Sequence, residues 1–293
     1  MIHIHFIVNP IAGSGDNHIN IKFLQRYFNK DTYALVVKNS TYKNHAIVLT
    51  KESIVEKADI IVACGGDGTI NEVATCIIGT PILLGVIPLG SGNGLASNLK
   101  ISTNIHKAIS IIKKQDIKKI DLGCLNDKYF FSNTGVGFDA LVIKNYEQSN
   151  SRKLISYVKG TFKSLREISY DKEYNVTLND ETLVIKPFMI FISNSNVLGY
   201  NVSLTPKASL QDGLLDVLIV SKLNIFKVLL FWLLMIFKKH HLLKEVKSYQ
   251  TKNMTILQND LSFYETQIDG EYRIIEDSKI EISIKKQILN IIA

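Results

Sequence analysis

Ile60-Ile61-Val62-Ala63-Cys64-Gly65-Gly66-Asp67-Gly68-Thr69-Ile70-Asn71-Glu72-Val73 reads as a buried strand that runs through a glycine turn into a helix. An apolar run with no polar alternation suits a strand covered on both faces. Glycines, lacking Cβ, let backbone N–H groups approach phosphate oxygens. The helix N-terminus that follows adds a favourable potential for an anion. Asp67, set among these donors, points to Mg²⁺ handling or proton transfer. An ordinary strand–turn–helix joint also uses Gly and Asp, and a lone Gly-Asp-Gly would mean no more than that.

Two neighbouring stretches repeat the pattern. Asn9-Pro10-Ile11-Ala12-Gly13-Ser14-Gly15 closes the first apolar run, residues 2–9, and Pro88-Leu89-Gly90-Ser91-Gly92-Asn93-Gly94 closes the run 82–88. Strand patterns at 33–38 and 59–64 alternate with helical spacing at 18–28, at 44–56 and from Thr69 onward. Such alternation predicts a parallel sheet covered by helices, with ligands at the carboxyl ends of its strands. Three polar glycine loops at successive strand ends make one backbone-rich cleft.

From Ile117 the helices thin out. Strand patterns follow at 117–125, 129–133, 173–178, 183–193, 214–220, 248–258, 262–268 and 279–285, with helices at 153–167 and 225–243. This reads as a second, mostly antiparallel β domain. The expected domains are 1–120 and 121–293, with the last segment open to a return to the first domain.

The 293 residues suffice for two such cores, and 46% apolar with 21% charged residues is a globular balance. A net charge of +7 admits an anionic partner such as nucleotide or an acidic membrane face. Nucleic acid is set aside, because Lys113-Lys114 and Lys118-Lys119 lack interleaved aromatics. Cys64, Cys76 and Cys124 form neither a disulfide framework nor a zinc spacing, and read as reduced thiols of a cytoplasmic protein. Residues 1–9 are too short for a signal peptide. The run Val228–Phe237 is also shorter than the about 20 residues needed to span a bilayer, so the protein is not expected to be integral.

Taken in order, these motifs resemble the diacylglycerol kinase catalytic family, which includes bacterial diacylglycerol kinases and the sphingosine and ceramide kinases. The matching residues are Asn9-Pro10, Gly65–Thr69 with Asn71-Glu72-Val73, Gly90-Ser91-Gly92-Asn93, Leu204-Thr205-Pro206-Lys207-Ala208 with Asp212-Gly213-Leu214-Leu215-Asp216, and Asp269-Gly270-Glu271. The resemblance implies an α/β nucleotide-binding domain akin to NAD kinase and phosphofructokinase, followed by a mainly antiparallel β-sandwich. It implies an ATP-dependent kinase acting on the hydroxyl of a membrane lipid. ATP would be held by Asn9, Pro10, Gly13, Gly65, Gly66, Asp67, Gly68, Thr69, Asn71, Glu72, Ser91, Gly92 and Asn93, with a hydroxyl from Ser40 or Thr41. Glu271 matches the family's usual general base, while sphingosine-kinase relatives give that part to the acid at Asp67, and both stay open. A structural Mg²⁺ would lie at Ser209, Asp212 and Leu214. The implied partners are the lipid substrate and, transiently, the anionic inner face of the membrane. A homodimer is open.

Two departures bear on specificity. Many relatives carry Lys or Arg where this chain has Asp16. The second loop, Ser91-Gly92-Asn93-Gly94, is closer to the sphingosine and ceramide kinases, so the acceptor is either diacylglycerol or a sphingoid- or ceramide-like lipid. The segment 223–243 is apolar with lysines at its margins, and fits an interfacial helix or a helix packed in the core equally well. The competing functions are an NAD kinase-like enzyme and a non-catalytic nucleotide- or lipid-binding relative. An NAD kinase-like enzyme leaves Asp212–Asp216 and Asp269–Glu271 unexplained, and the intact Asp67, Asn71 and Glu271 argue against a decayed, non-catalytic relative.

Overall fold

The computed structural model describes residues 1–13, 15, 17–149, 154–168, 172–196, 203–258 and 263–293. The chain divides into two compact units, Met1–Asp121 with Lys286–Ala293, and Leu122–Lys285.

The first unit holds strands β1 (Ile2–Val8), β2 (Tyr33–Asn39), β3 (Ile60–Gly65) and β4 (Leu83–Pro88). Its helices are α1 (Ile21–Leu24), α2 (His45–Val55), α3 (Asp67–Ile77), α4 (Gly94–Asn98) and α5 (Ile105–Lys114). The sheet order is β2-β1-β3-β4, parallel throughout, with Phe6 beside Val37 on one side and Val62 on the other. Ile291, near the chain's end, adds a further parallel pairing to Leu84. Every residue of β3 is buried, as its unbroken apolar pattern predicts. The helix expected at 18–28 contracts to the four residues of α1, where the Asn20 side chain accepts the Phe23 N–H. Helices α4 and α5 were not legible. α4 is a single turn entered from Asn93, and α5 is capped by Asn104, which accepts from Lys107 N–H.

β5 (Ile117–Leu125) carries the chain from the first unit into the second and leads to β6 (Lys128–Phe130), β7 (Asn133–Gly137), α6 (Phe138–Glu147) and α7 (Leu154–Glu167). Strands β8 (Tyr174–Leu178), β9 (Glu181–Ile185), β10 (Pro187–Ser193) and β11 (Leu215–Ser221) follow, then α8 (Ile225–Ile236). Strands β12 (Val246–Thr251), β13 (Asn253–Leu257), β14 (Tyr264–Ile268), β15 (Glu271–Ile275) and β16 (Lys279–Ile292) complete the chain. One antiparallel sheet runs β12-β11-β10-β7-β14-β15, and β16-β13-β8-β9 forms an antiparallel partner. Ile190, Ile192, Val217 and Ile219 of the first pack with Val176, Met254, Ile256 and Ile280 of the second, which makes a sandwich. Phe191, Leu218 and Val220 point the other way, into a core shared with Phe138 and Val142 of α6 and Val228, Phe231 and Met235 of α8. Strands β10 and β11 are therefore buried on both faces.

Three strand readings are corrected. The run 183–193 breaks at Lys186 into β9 and β10, and the run 248–258 breaks at Lys252 into β12 and β13. Each pair belongs to two different sheets. The chain turns a corner between sheets there while the apolar pattern continues across it. The run 129–133 likewise splits into β6 and β7, and α6 after it was unforeseen. Among the described residues no helix is long and apolar enough to cross a membrane.

Candidate active site

In the first unit the loops after β1, β3 and β4 lock together at positions where only glycine fits. A Cβ on Gly13, at φ +64°, would stand 2.1 Å from the Leu89 carbonyl oxygen. A Cβ on Gly90 would stand 2.6 Å from Gly66 Cα. Backbone bonds complete the lock, from Asn9 N–H to the Cys64 carbonyl at 2.9 Å and from Leu89 N–H to the Gly65 carbonyl at 2.8 Å. The Asn9 side chain reaches Thr69 Oγ1 at 3.4 Å. Asn93, at φ +51°, both accepts from Gly90 N–H (3.0 Å) and donates to its carbonyl (2.6 Å).

Asp67 joins the first and second glycine motifs. Its carboxylate lies beside the backbone N–H groups of Asn93, Gly94 and Leu95, at the start of α4. Burial pushes its pKa up, and those N–H groups offset part of the rise. Gly92 lies against the same carboxylate, since a Cβ there would meet Asp67 Oδ2 at 2.9 Å. Asn9, Gly13, Gly65, Gly66, Asp67, Thr69, Gly92 and Asn93 thus form one cluster, with Gly68 and Ser91 exposed on it and Pro10 half-buried. Glu72, one turn along α3 from Gly68, accepts Asn44 N–H at 3.2 Å and so ties α3 to the loop after β2. In that loop Ser40 N–H donates to the Val8 carbonyl (2.8 Å). Thr41 N–H donates to His45 Nδ1 at 3.1 Å, with Thr41 Oγ1 at the same distance. Asn71 lies half-buried on α3. Asp16 lies outside the described residues.

In the second unit Asp269 and Gly270 form the β14–β15 turn, at φ +50° and +79°. The Asp-Gly hairpin supplies this geometry without strain on glycine. The Asp269 carboxylate accepts N–H groups from Phe131 (2.8 Å), Ser132 (2.7 Å) and Asn133 (3.1 Å), pinning the turn to the β6–β7 corner. Glu271 opens β15 with its side chain 44% exposed and paired with Arg273. Behind the turn, Gln267 accepts Gly270 N–H (2.9 Å) and donates to Asn133 Oδ1 (2.7 Å) and Asp139 Oδ2 (3.3 Å). Asp139 Oδ1 is sealed from water with no hydrogen-bond partner, and burial pushes this carboxyl up to about 7, against the pull of Gln267.

The candidate metal segment lies between Ala208 and β11. Asp212 is exposed and its Oδ1 accepts Leu214 N–H at 3.0 Å, while Ser209 Oγ accepts Gln211 N–H at 3.3 Å. Four residues on, Asp216 is raised chiefly by burial and further by the charge of Asp212. The charge of Asp212 is felt at Asp216, and a hard divalent cation would relieve that repulsion, so the pair suits Mg²⁺. Among the described residues no group of three or more His, Cys, Asp or Glu side chains gathers as a metal site, so main-chain oxygens would have to supply the rest.

The profile of the diacylglycerol kinase catalytic domain matches residues 3–125, and that of the YegS C-terminal NAD kinase beta sandwich-like domain matches residues 132–293, more than half the chain. The chain belongs to the diacylglycerol kinase catalytic family. A diacylglycerol kinase of Bacillus subtilis (strain 168) is 28% identical over 282 residues, 93% of this chain and 90% of that one. An uncharacterized Synechocystis protein, sll0036, is 28% identical over 74% of this chain, which spans 53% of that protein's length. A crystal structure of a candidate diacylglycerol kinase from Bacillus anthracis str. Sterne matches the fold at TM-score 0.78, with 21% identity, covering 99% of this chain and 94% of that one.

Within this family member, Asp139, Gln267 and the role of Asp269 as a clamp escaped the sequence reading. Asn133-Thr134-Gly135-Val136-Gly137-Phe138-Asp139 is itself a strand–glycine–acid–helix joint like the one at Gly65, and was the available signal. A Cβ on Gly135 would fall 2.1 Å from Asp139 Oδ2, so this glycine makes room for the buried acid.

Proposed function

We propose that the protein is an ATP-dependent lipid kinase whose first unit holds the nucleotide on the fused loops around Gly66 and Gly90. The observation that carries this reading is the glycine-only joint of the loops, where a Cβ on Gly90 would stand 2.6 Å from Gly66 Cα, so that the two loops meet backbone to backbone. Phosphoryl transfer asks chiefly for positioning and charge neutralisation. The loops at Asn9, Gly65–Thr69 and Ser91–Asn93 position the phosphates, and Ser40 or Thr41 lies on the adjoining loop. Mg²⁺ bound with the nucleotide supplies charge neutralisation, and a second, structural Mg²⁺ is assigned to Asp212 with main-chain oxygens at Ser209 and Leu214.

Glu271 serves as the base. Its carboxylate is half open to water, whereas that of Asp67 faces the backbone N–H groups at the start of α4. A carboxylate takes a hydroxyl proton late, as the oxygen bonds to phosphorus. The acceptor is diacylglycerol or a sphingoid- or ceramide-like lipid, and the enzyme works peripherally at the inner face of the membrane.

The test is transfer of labelled phosphate from ATP to diacylglycerol, monoacylglycerol, sphingoid bases, ceramide and NAD in one screen with Mg²⁺. Transfer to one of the lipids is expected, while transfer to NAD alone, or binding of ATP without transfer, overturns the reading. Melting the same preparation with and without Mg²⁺, before nucleotide is added, reads the Asp212 site. A wild-type rise that Asp212→Asn abolishes is expected, and no rise removes the site.

A further inference from the structure

Helix α8 is apolar all round, which an amphipathic surface helix never is. Val228, Phe231 and Met235 are buried against Phe188, Phe191 and Leu218. The opposite stripe carries large apolar side chains in the open, with Phe226 79% exposed, Ile236 72%, Phe237 64% and Leu233 53%, and Leu229 and Leu230 beside them. Of the two readings open for this segment, each describes one face of the helix. Spacings of three and four from Phe226 through Leu229, Leu230 and Leu233 to Phe237 keep these side chains on one side.

The charges around this stripe have one sign. Residues 222–247 contain six lysines (222, 227, 238, 239, 244 and 247) and one acid, Glu245, a balance of six minus one, or +5. Glu245 is paired with Lys227, and Lys238, Lys239, Lys244 and Lys247 are exposed. Cations at 238 and 239 also suit a helix carboxyl end, but that accounts neither for the other lysines nor for the bare apolar stripe. At 1.5 Å per residue a helix of 12 residues is about 18 Å long, too short to cross a hydrocarbon core of about 30 Å but able to lie in its surface.

We propose that the outer face of α8 is the membrane-docking surface, with Phe226, Leu229, Leu230, Leu233 and Phe237 seated among the acyl chains and the lysines on anionic headgroups. This rests on the lipid-kinase reading for its purpose, and on the exposed stripe and one-signed charge for its geometry. Apolar area and charge attraction add at such a surface. Docking through both makes binding depend on both.

The experiment is co-sedimentation of the full chain with phosphatidylcholine vesicles, with and without phosphatidylglycerol. Wild type should bind the anionic vesicles at least about tenfold more tightly than the neutral ones. Phe226→Glu with Leu230→Glu should cost about tenfold or more on both, and Lys238→Gln with Lys239→Gln should remove much of the anionic preference alone. Both pairs are on the surface, so melting temperatures should hold, and the lysine pair gives a reading even if the glutamate pair misfolds. Turnover of a short-chain lipid dissolved as monomer should be unchanged in both variants. Undiminished vesicle binding by both pairs overturns the proposal. So does light scattering that shows a wild-type dimer and a monomeric glutamate variant, since the stripe would then be covered by a second copy. A wild type that binds vesicles yet phosphorylates no lipid defeats the kinase reading and leaves the docking surface standing.

Discussion

Each unit presents an acid on a glycine turn, Asp67 in the first and Glu271 in the second, and their surroundings differ in kind. Asp67 is half-buried, with its carboxylate facing the backbone N–H groups of Asn93, Gly94 and Leu95. Glu271 is 44% exposed, with the guanidinium of Arg273 as its partner. Asp269, two residues before Glu271, is closer to Asp67 in kind, for it collects three backbone N–H groups, from Phe131, Ser132 and Asn133. A carboxylate that holds two loops in register must give up those bonds to take a proton. Asp67 and Asp269 face backbone donors, which suits bracing a turn, and that contrast is what favours Glu271 as the proposed base.

The sharpest way to break this comparison is Glu271→Gln, which keeps the size and removes the basicity. General-base catalysis contributes about 10²–10⁴-fold, so kcat should fall by that much while KM for ATP holds, because the lost interaction belongs to the transition state. Steady-state kinetics on the lipid found in the screen decides it. A variant that keeps most of its turnover returns the role of base to Asp67.

The difference between the two acids was only half legible in the sequence. The first unit's loops are built from backbone, and glycines at successive strand ends announce them directly: a Cβ on Gly13 or Gly90 would clash, and one on Gly66 would sit tightly, 3.3 Å from Gly90 Cα. What Asp67 does there depends on α4, one helical turn whose short stretch has no periodicity to read. In the second unit the turn itself was legible as Asp-Gly, but its support was not. Asn133, Asp139 and Gln267 lie more than 125 residues apart in part (Gln267 to Asp139 spans 128) and meet only because β7 and β14 pair. No local pattern encodes a pairing that distant. The same blindness split the runs 183–193 and 248–258, where apolar residues continue through a change of sheet.

Asp139 sharpens the comparison from behind the turn. Its carboxyl is raised to about 7 by burial, well above the unfolded value near 3.9. The folded chain therefore binds the extra proton between those values, and stability falls as pH rises through that window and is lost in full above pH 7. Asp139→Asn carries no such proton. Relative to wild type it should gain about 2–3 kcal/mol of stability on going from pH 5 to pH 8, read from urea unfolding at both values. Parallel pH dependence in the two proteins would show that Asp139 is ionised throughout. Lys144, Asn145 and Glu147 on α6 itself, Gly135 on β7 and Glu265 on β14 are all unchanged in the variant.

Asp67→Asn should have the smallest effect on the chemical step, and its pattern matters more than its size. Asparagine keeps one acceptor oxygen but turns an NH₂ toward the N–H groups of Asn93, Gly94 and Leu95, so the favourable contact of the carboxylate with them is weakened. A buried donor left unpaired costs about 1–3 kcal/mol, and here the cost falls on the joint between the first and second glycine motifs. Melting temperature should drop and KM for ATP should rise, because the loops around Gly66 and Gly90 are no longer held in register. kcat at saturating ATP should fall by less than in Glu271→Gln. If Asp67 were instead the proton acceptor, the pattern would invert, with kcat collapsing while stability and ATP affinity stayed near wild type. The two columns of numbers, stability against turnover, therefore separate a carboxylate that clamps from one that reacts.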